Sequence, residues 1–216
     1  MKSSFPRSGN RFAAAALAAV IAGAAFSAPM VKEGDRIGFL GDSITQGIGT
    51  PVNSYAHWNA VFAERAGRDF AFWNLGLGYG RADDAASDGA WLFKARQNDV
   101  VFVCFGVNDI NRGFSAAQIK ANLQYITDKL NESGVSVVMQ TVPPFDYPDG
   151  RRETWEEVNR FIMADLKNAA CVFDCVPILG RSGEPHKAKY GGHPGADGCR
   201  LWGEKLCDFA RGRSGL

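Results

Sequence analysis

Residues 100–105, Val-Val-Phe-Val-Cys-Phe, form the most apolar run in the chain and stop at Gly106. Six apolar residues with no polar alternate leave no face for water, so the run predicts a central strand buried on both sides. Such a strand needs a layer above it and a layer below it, and the flanking sequence supplies them. Shorter apolar runs at 36–40, 70–75, 135–141 and 171–176 predict four more strands. Helical patterns lie between them. Trp58, Val61 and Phe62 share a helical spacing within 55–66, residues 82–95 read as helix, and Ser115 with Gln118 forms a capping box opening a helix to residue 130. Trp155, Val158, Phe161 and Ile162 line one side of a helix over 154–167, residues 179–194 read as loop, and 196–210 as a terminal helix. Five strands alternating with helices predict an α/β fold whose parallel sheet is covered on both faces.

The first 28 residues stand apart. Lys2, Arg7 and Arg11 precede a small-residue apolar stretch that ends near Ala25-Phe26-Ser27. That is the pattern of a secretory signal peptide, and the stretch is shorter than the roughly 20 residues a membrane span needs. The expected product is one exported domain from residue 29 to 216, periplasmic or extracellular. Removing the segment takes away three basic residues and no acid, leaving 21 basic against 23 acidic residues, a net charge of −2. A sequence-independent nucleic-acid binder would carry a basic surplus. Cys104, Cys171, Cys175, Cys199 and Cys207 are odd in number, so at least one is free. Cys104 reads as a buried thiol in the central strand. A pairing of Cys175 with Cys199 or Cys207 is left open by the sequence. The cysteine spacing makes no zinc motif, and His57, His186 and His193 are too few for a histidine-rich metal site.

In a parallel sheet the loops that follow the strands gather at one edge, where ligands bind. The first strand delivers Gly41-Asp42-Ser43, the second Asn74-Leu-Gly-Leu-Gly78-Tyr-Gly80, and the third Gly106-Val-Asn108-Asp109. The loop before the last helix adds His193-Pro194. A hydroxyl, an imidazole, close-approach glycines and a carboxamide thus converge from distant parts of the chain. They are the parts acyl transfer requires: nucleophile, general base and oxyanion donors. Tyr79, Phe145, Asp146 and Tyr147 fall on loops at the same edge and are candidates for touching substrate. His57 and His186 read as structural or solvent-facing, and Trp73, Trp91, Trp155 and Trp202 as core or helix-face residues. The glycines at 76–80 do not make a dinucleotide fingerprint, because the sixth position is Arg81.

The ordered set Gly41-Asp42-Ser43, Gly106-Val107-Asn108-Asp109 and His193-Pro194 with Gly198 resembles the SGNH hydrolases, the GDSL esterase/lipase family, across essentially the whole mature chain. The resemblance implies a three-layer, flavodoxin-like α/β/α fold with a five-stranded parallel sheet. It also implies ester hydrolysis through an acyl-serine, without metal or organic cofactor. Ser43 would be the nucleophile and His193 the base. The backbone of Ser43, the backbone of Gly78 (or Gly80, one residue-shift away) and the Asn108 side chain would be the oxyanion donors. Asp42 would hold the nucleophile loop and Asp109 anchor the next. The family usually places an aspartate three residues before the histidine, and here that position is Tyr190. A main-chain carbonyl, the Tyr190 hydroxyl or Glu184 would then orient the ring, or Ser43 and His193 would work as a dyad. The expected substrate is a small acyl ester, an O-acetylated carbohydrate above others. An acyltransferase, a thioesterase or a lysophospholipase would use the same machinery. An inactive carbohydrate-binding protein is the alternative of another class.

Overall fold

A computed structural model of the chain describes residues 30–47, 58–67 and 70–212. The expected signal segment, His57 and the first residues of the helix expected from 55 lie outside the described residues. In chain order the elements begin with β1 (Arg36–Gly41), α1 (Ser43–Gln46), α2 (Trp58–Ala66), β2 (Ala71–Gly76), α3 (Ala82–Ser87), α4 (Gly89–Ala95) and β3 (Val100–Cys104). They continue with α5 (Val107–Arg112), α6 (Ala116–Asn131), β4 (Ser136–Gln140), α7 (Asp149–Ala164) and β5 (Cys171–Phe173). Beyond these lie α8 (Val176–Leu179), β6 (Gly180–Arg181), β7 (Glu184–Ala188) and α9 (Ala196–Ala210).

Five strands form one parallel sheet in the order β2-β1-β3-β4-β5, the doubly wound order of flavodoxin-like folds. β3 lies in the middle and is buried along its whole length, as its unbroken apolar run requires. α2 packs on α9 on one face, while α3, α4, α6 and α7 pack together on the other. Under α2 the Phe39 ring meets Trp58, Phe62, Phe72 and Phe102 with centroids 5.3–6.1 Å apart. Trp58 stacks on Trp202 of α9 at 4.8 Å. Each fully buried ring of this kind contributes roughly 2–3 kcal/mol of burial free energy, which fixes the α2–β1–α9 side of the sheet.

Several local features differ from the expectation. Residues 82–95 are two helices rather than one. The Asp88 backbone N–H closes α3 on the Asp84 carbonyl, and the Asp88 carboxylate accepts the Ala90 and Trp91 N–H groups to start α4. α7 starts at Asp149, five residues before the expected position. The run 171–176 is strand only to Phe173, because Pro177 at the start of α8 suits a helix's first turn. The expected loop 179–194 contains the antiparallel pair β6–β7. Trp73 is not a core residue: it stands 46 % exposed on the edge strand β2. All five cysteines are buried and none forms a disulfide, so the Cys175 pairings are not made. Burial pushes the Cys175 thiol up to about 12 and Cys199 up to about 11, which keeps both protonated and inert.

The order of the strands places the functional edge. The chain leaves β1 toward β2 on one side, and β3 lies on β1's other side. The loops after β1 and β3 therefore diverge at the switch point and leave a crevice there. Ser43 follows β1, and Asn108 and Asp109 follow β3.

Candidate active site

β1 ends at Gly41, and Ser43 is the first residue of α1. The helix cap is Asp42, whose Oδ1 accepts the Ile44 N–H at 2.9 Å. That leaves the Ser43 hydroxyl for another partner. The partner is His193: Ser43 Oγ and His193 Nε2 are 2.9 Å apart across 150 residues of sequence.

His193 lies between β7 and α9 and is half-buried. Burial lowers its pKa from the ordinary histidine value, which keeps the imidazole neutral and able to accept the serine O–H. With Nε2 accepting, the ring proton sits on Nδ1. Among the described residues that N–H meets no acceptor. Tyr190 does not orient it, because the Tyr190 ring lies against Gly198, where an added Cβ would come 2.9 Å from Cγ. Lys189 Nζ sits 5.1 Å from the centroid of that same ring. Glu184 is exposed on β7 and makes no hydrogen bond to His193 among the described residues. Among the described residues Ser43 and His193 are paired with no third hydrogen-bonded group.

Asn108 Nδ2 donates to the Gly80 carbonyl at 2.9 Å, joining the turn after β2 to the loop after β3. In that turn the Gly80 N–H already donates to the Leu77 carbonyl at 2.9 Å. Gly80 therefore has no amide to offer a ligand. The amides of Gly78 and Tyr79 meet no acceptor among the described residues. Tyr79 holds a left-handed φ of 61° and is 80 % exposed. A non-glycine residue in that region costs about 1 kcal/mol or more and is found where a site requires the turn.

Two buried carboxylates lie beneath these loops. Asp109 accepts the N–H groups of Ala82 at 3.0 Å and Asp83 at 3.4 Å, so it anchors the start of α3. Burial raises its pKa. Asp42 is pushed up to about 7, chiefly by burial and further by the charge of Asp109, against the backbone N–H groups it accepts. Asp42 is only 1 % exposed, so water does not screen the effect. In the unfolded chain the same carboxyl ionises near its ordinary value. The folded protein thus holds a proton that the unfolded chain has lost, and stability falls as pH rises from about 4 to about 7. The full shift corresponds to roughly 4 kcal/mol at most. Asp99, held down to about 2 by the Arg36 guanidinium and its hydrogen bonds, titrates below that window. We expect the urea midpoint of the wild type to fall between pH 5 and pH 8. Asp42→Asn, which keeps the acceptor for Ile44, should reduce that fall, the remainder coming from Asp109, which burial also raises. Parallel pH profiles for the two proteins would refute the assignment.

Of the loop residues expected to touch substrate, Tyr79 is exposed and Phe145 is half-buried beside His193. Tyr147 is not available: it is 1 % exposed, and its hydroxyl donates to the Pro143 carbonyl at 3.0 Å. Asp146 serves the fold, since its Oδ1 accepts the Ala188 N–H at 3.1 Å. His186 is buried against Trp155 with its Nδ1 unpartnered among the described residues, a structural position rather than a solvent-facing one. Two features escaped the sequence. The Asn59 side chain holds the Thr45 carbonyl at 2.7 Å, and Phe145 packs on Gly192. Neither contact has a local signal.

The described cavities lie elsewhere. One of 620 Å³, lined by Lys32, Asp35, Asp99 and Ser136, sits where the strands begin, away from Ser43. Another, of 310 Å³, lies beside Trp73, Lys94 and Asn98. Among the described residues no group of three His, Cys, Asp or Glu side chains is arranged to hold a metal ion, and no helix is long and apolar enough to cross a membrane.

A doubly wound parallel sheet that sets a serine hydroxyl against a neutral imidazole at its switch point defines a serine hydrolase, here one acting on ester bonds. The chain belongs to the GDSL-like Lipase/Acylhydrolase family, whose model matches residues 39–201. Among curated proteins none matches the sequence. Solved structures share the fold. A member of the lipolytic protein G-D-S-L family from Veillonella parvula DSM 2008 is 20% identical with a TM-score of 0.64, covering 80% of this chain and 96% of that one. A carbohydrate acetylesterase from Sinorhizobium meliloti is 18% identical with a TM-score of 0.64, covering 81% and 97%. A psychrotrophic esterase from Pseudoalteromonas sp. is 17% identical with a TM-score of 0.63, covering 80% and 94%. At these identities the likeness is one of fold.

Proposed function

We propose that the protein is an exported esterase that removes small acyl groups, acetyl above others, from carbohydrate or similar alcohols. The observation that carries the catalytic part is the 2.9 Å contact between Ser43 Oγ and His193 Nε2. In this reading Nε2 takes the hydroxyl proton as Oγ bonds to the ester carbonyl carbon. The carbonyl oxygen becomes an oxyanion facing the Ser43 amide, the Gly78 amide and the second Nδ2 proton of Asn108, the first being held by Gly80. Collapse breaks the bond to the leaving alcohol, which receives the proton from Nε2. Water then repeats the sequence on the acyl-serine, releasing the acid and restoring Ser43.

Export rests on the basic, then apolar, first 28 residues. The carbohydrate reading rests on that export and on the likeness to a carbohydrate acetylesterase. Hydrolysis of p-nitrophenyl acetate, butyrate and decanoate, with acetate release from an O-acetylated xylooligosaccharide, tests both parts. We expect the acetyl ester to have the highest kcat/KM and the oligosaccharide to lose acetate. A preference for decanoate, or an acetylated sugar left intact, would overturn the substrate assignment. N-terminal sequencing of the secreted protein, expected to begin near residue 29, tests export.

Asn108 offers a separate check. Asn108→Ala should lower kcat by about 10²–10³-fold, with KM changed far less, because the donor acts on charge that develops only in the transition state. An equal rise in KM with kcat unchanged would assign Asn108 to ground-state binding instead.

A further inference from the structure

His193 has one hydrogen bond, to Ser43, and no acceptor for Nδ1 among the described residues. One hydrogen bond leaves an imidazole free to rock about that bond, so the side chains packed on the ring decide how firmly it is held. Phe145 lies against it. The two ring centroids are 5.9 Å apart with planes at 77°. The same phenyl ring covers Gly192, the residue before the histidine: a Cβ there would come 2.6 Å from Phe145 Cε2 and 2.9 Å from Cδ2. The phenyl ring therefore touches both the imidazole and the backbone that carries it.

Phe145, half-buried, is itself held by its neighbours. Its ring packs on Tyr147 at 6.0 Å, and Tyr147 on Trp155 of α7 at 6.3 Å. The Trp155 indole N–H donates to the Val142 carbonyl at 2.9 Å, and Asn159 Oδ1 accepts the Val142 N–H at 2.7 Å. The Phe145 N–H donates to the His186 carbonyl at 3.3 Å. Asp146, at a left-handed φ of 50°, accepts the N–H of Ala188, the last residue of β7. The loop after β4 is thus fastened to α7 on one side and to the strand that feeds His193 on the other. A strained residue beside the contact indicates that the surrounding structure enforces the geometry.

We propose that Phe145 is the positioning residue for His193, an apolar brace that fixes the imidazole where related hydrolases use a carboxylate three residues upstream. The inference rests on reading His193 as the general base. A carboxylate would orient the ring by a hydrogen bond and stabilise the imidazolium. Phe145 acts instead by contact, limiting the ring's rotation and excluding water from one side. Of these effects, exclusion of water governs the charge: burial is the sole cause of the lowered His193 pKa. The charged and titratable groups of the neighbouring segments are Asp42 before α1, Arg181 on β6, Glu184, His186 and Lys187 on β7, Asp146 and Tyr147 on the loop after β4, Lys189, Tyr190, and Asp197 and Cys199 in the first turn of α9. None of them contributes to that lowering.

The test is Phe145→Ala beside Phe145→Leu and Phe145→Tyr, each checked by thermal melting. The imidazole titration is followed by proton NMR, with the His193 signal assigned by its loss in His193→Ala. This readout does not depend on turnover. We expect the His193 midpoint to rise toward the ordinary histidine value in Phe145→Ala and to stay near wild type in Phe145→Tyr. We expect kcat on p-nitrophenyl acetate to fall about 10- to 100-fold in Phe145→Ala with KM within about twofold, the size of a small misplacement of a reacting group. Phe145→Leu, which keeps apolar volume without a planar ring, should fall between the two. A His193 titration in folded Phe145→Ala that superimposes on wild type overturns the proposal, as does an equal kcat loss in Phe145→Tyr. If the wild type hydrolyses no ester, the general-base reading fails, while the titration still decides whether Phe145 places the ring.

Discussion

Ser43→Ala and His193→Ala each lower kcat on p-nitrophenyl acetate by at least about 10⁴-fold, and the double variant falls little further. That is the expected result if the two side chains form one proton-transfer unit. The 2.9 Å contact makes the reason specific. Without His193 nothing beside Oγ takes its proton, because Asp42 is turned to the Ile44 N–H and Asp109 to Ala82. Without Ser43 the imidazole remains, but no hydroxyl attacks. Residual rates in both variants come from donors that still face the oxyanion, so they should converge on a common floor above the uncatalysed rate. A double variant whose loss is the product of the single losses would mean that the residues act independently. A wild type indistinguishable from Ser43→Ala on these esters and on the acetylated oligosaccharide would bring forward the inactive binding-protein reading.

The same pair governs the pH profile. A neutral, partly desolvated imidazole accepts protons only above its lowered pKa, so the acid limb of kcat/KM lies below the ordinary histidine value. Tyr190 leaves this limb alone, since its ring packs on Gly198 rather than on His193. The departure at the usual aspartate position therefore has a structural answer. The chain places an aromatic residue in contact with α9, and His193 is approached from the loop after β4.

What was legible in the chain depended on how local its cause was. The sheet was legible because a fully buried strand must be apolar at every position, as 100–104 is, and because an apolar run at parallel spacing has few other fates. The Ser115–Gln118 capping box was legible because both partners lie within four residues. The break at Asp88 was harder, since the apolar spacing of 82–95 continues through it. The Asp88-Gly89 pair carries a cap signal that periodicity outweighed. β6–β7 is two short strands around Ser182-Gly183, too brief for an alternation to register. The Ser43, Asn108 and His193 segments were recognisable as motifs. Their geometry was not, because the contact of Phe145 with Gly192 joins loops nearly fifty residues apart. Nothing in Pro143–Tyr147 or Tyr190–His193 taken alone requires it. Tyr147 shows the converse: its position on a loop suggested a substrate contact, but the Pro143 carbonyl takes its hydroxyl and the core takes its ring.

The second large effect should come from residues without side chains. Gly41 and Gly76 end β1 and β2 and face each other in register. A Cβ on Gly76 would overlap the Gln46 backbone nitrogen and come within 2.7 Å of Gln46 Cα and the Thr45 carbonyl carbon. A Cβ on Gly41 would overlap Thr45 Oγ1 and come 2.6 Å from the Cys104 carbonyl. The helix that begins with Ser43 thus rests directly on the strand ends. It has little freedom to lift, because Asn59 holds the Thr45 carbonyl at 2.7 Å and Asn74 reaches the Gln46 carbonyl at 3.4 Å. Gly76→Ala is the sharper of the two changes, because the obstructing atoms are backbone and cannot rotate away. We expect it to cost about 1–3 kcal/mol of stability as overpacking. Because α1 must move to admit the methyl group, kcat should fall about 100-fold even at temperatures where the variant is fully folded. Gly89→Ala is the matched control: nothing lies within 4 Å of its Cβ, and it stands at the first position of α4. That variant should keep full activity and gain a few tenths of a kcal/mol or more, as alanine does over glycine in a helix. Equal stability and equal kcat in Gly76→Ala and wild type would show that α1 yields without cost, and the close seating of Ser43 on the sheet would then not be what aims its hydroxyl at His193.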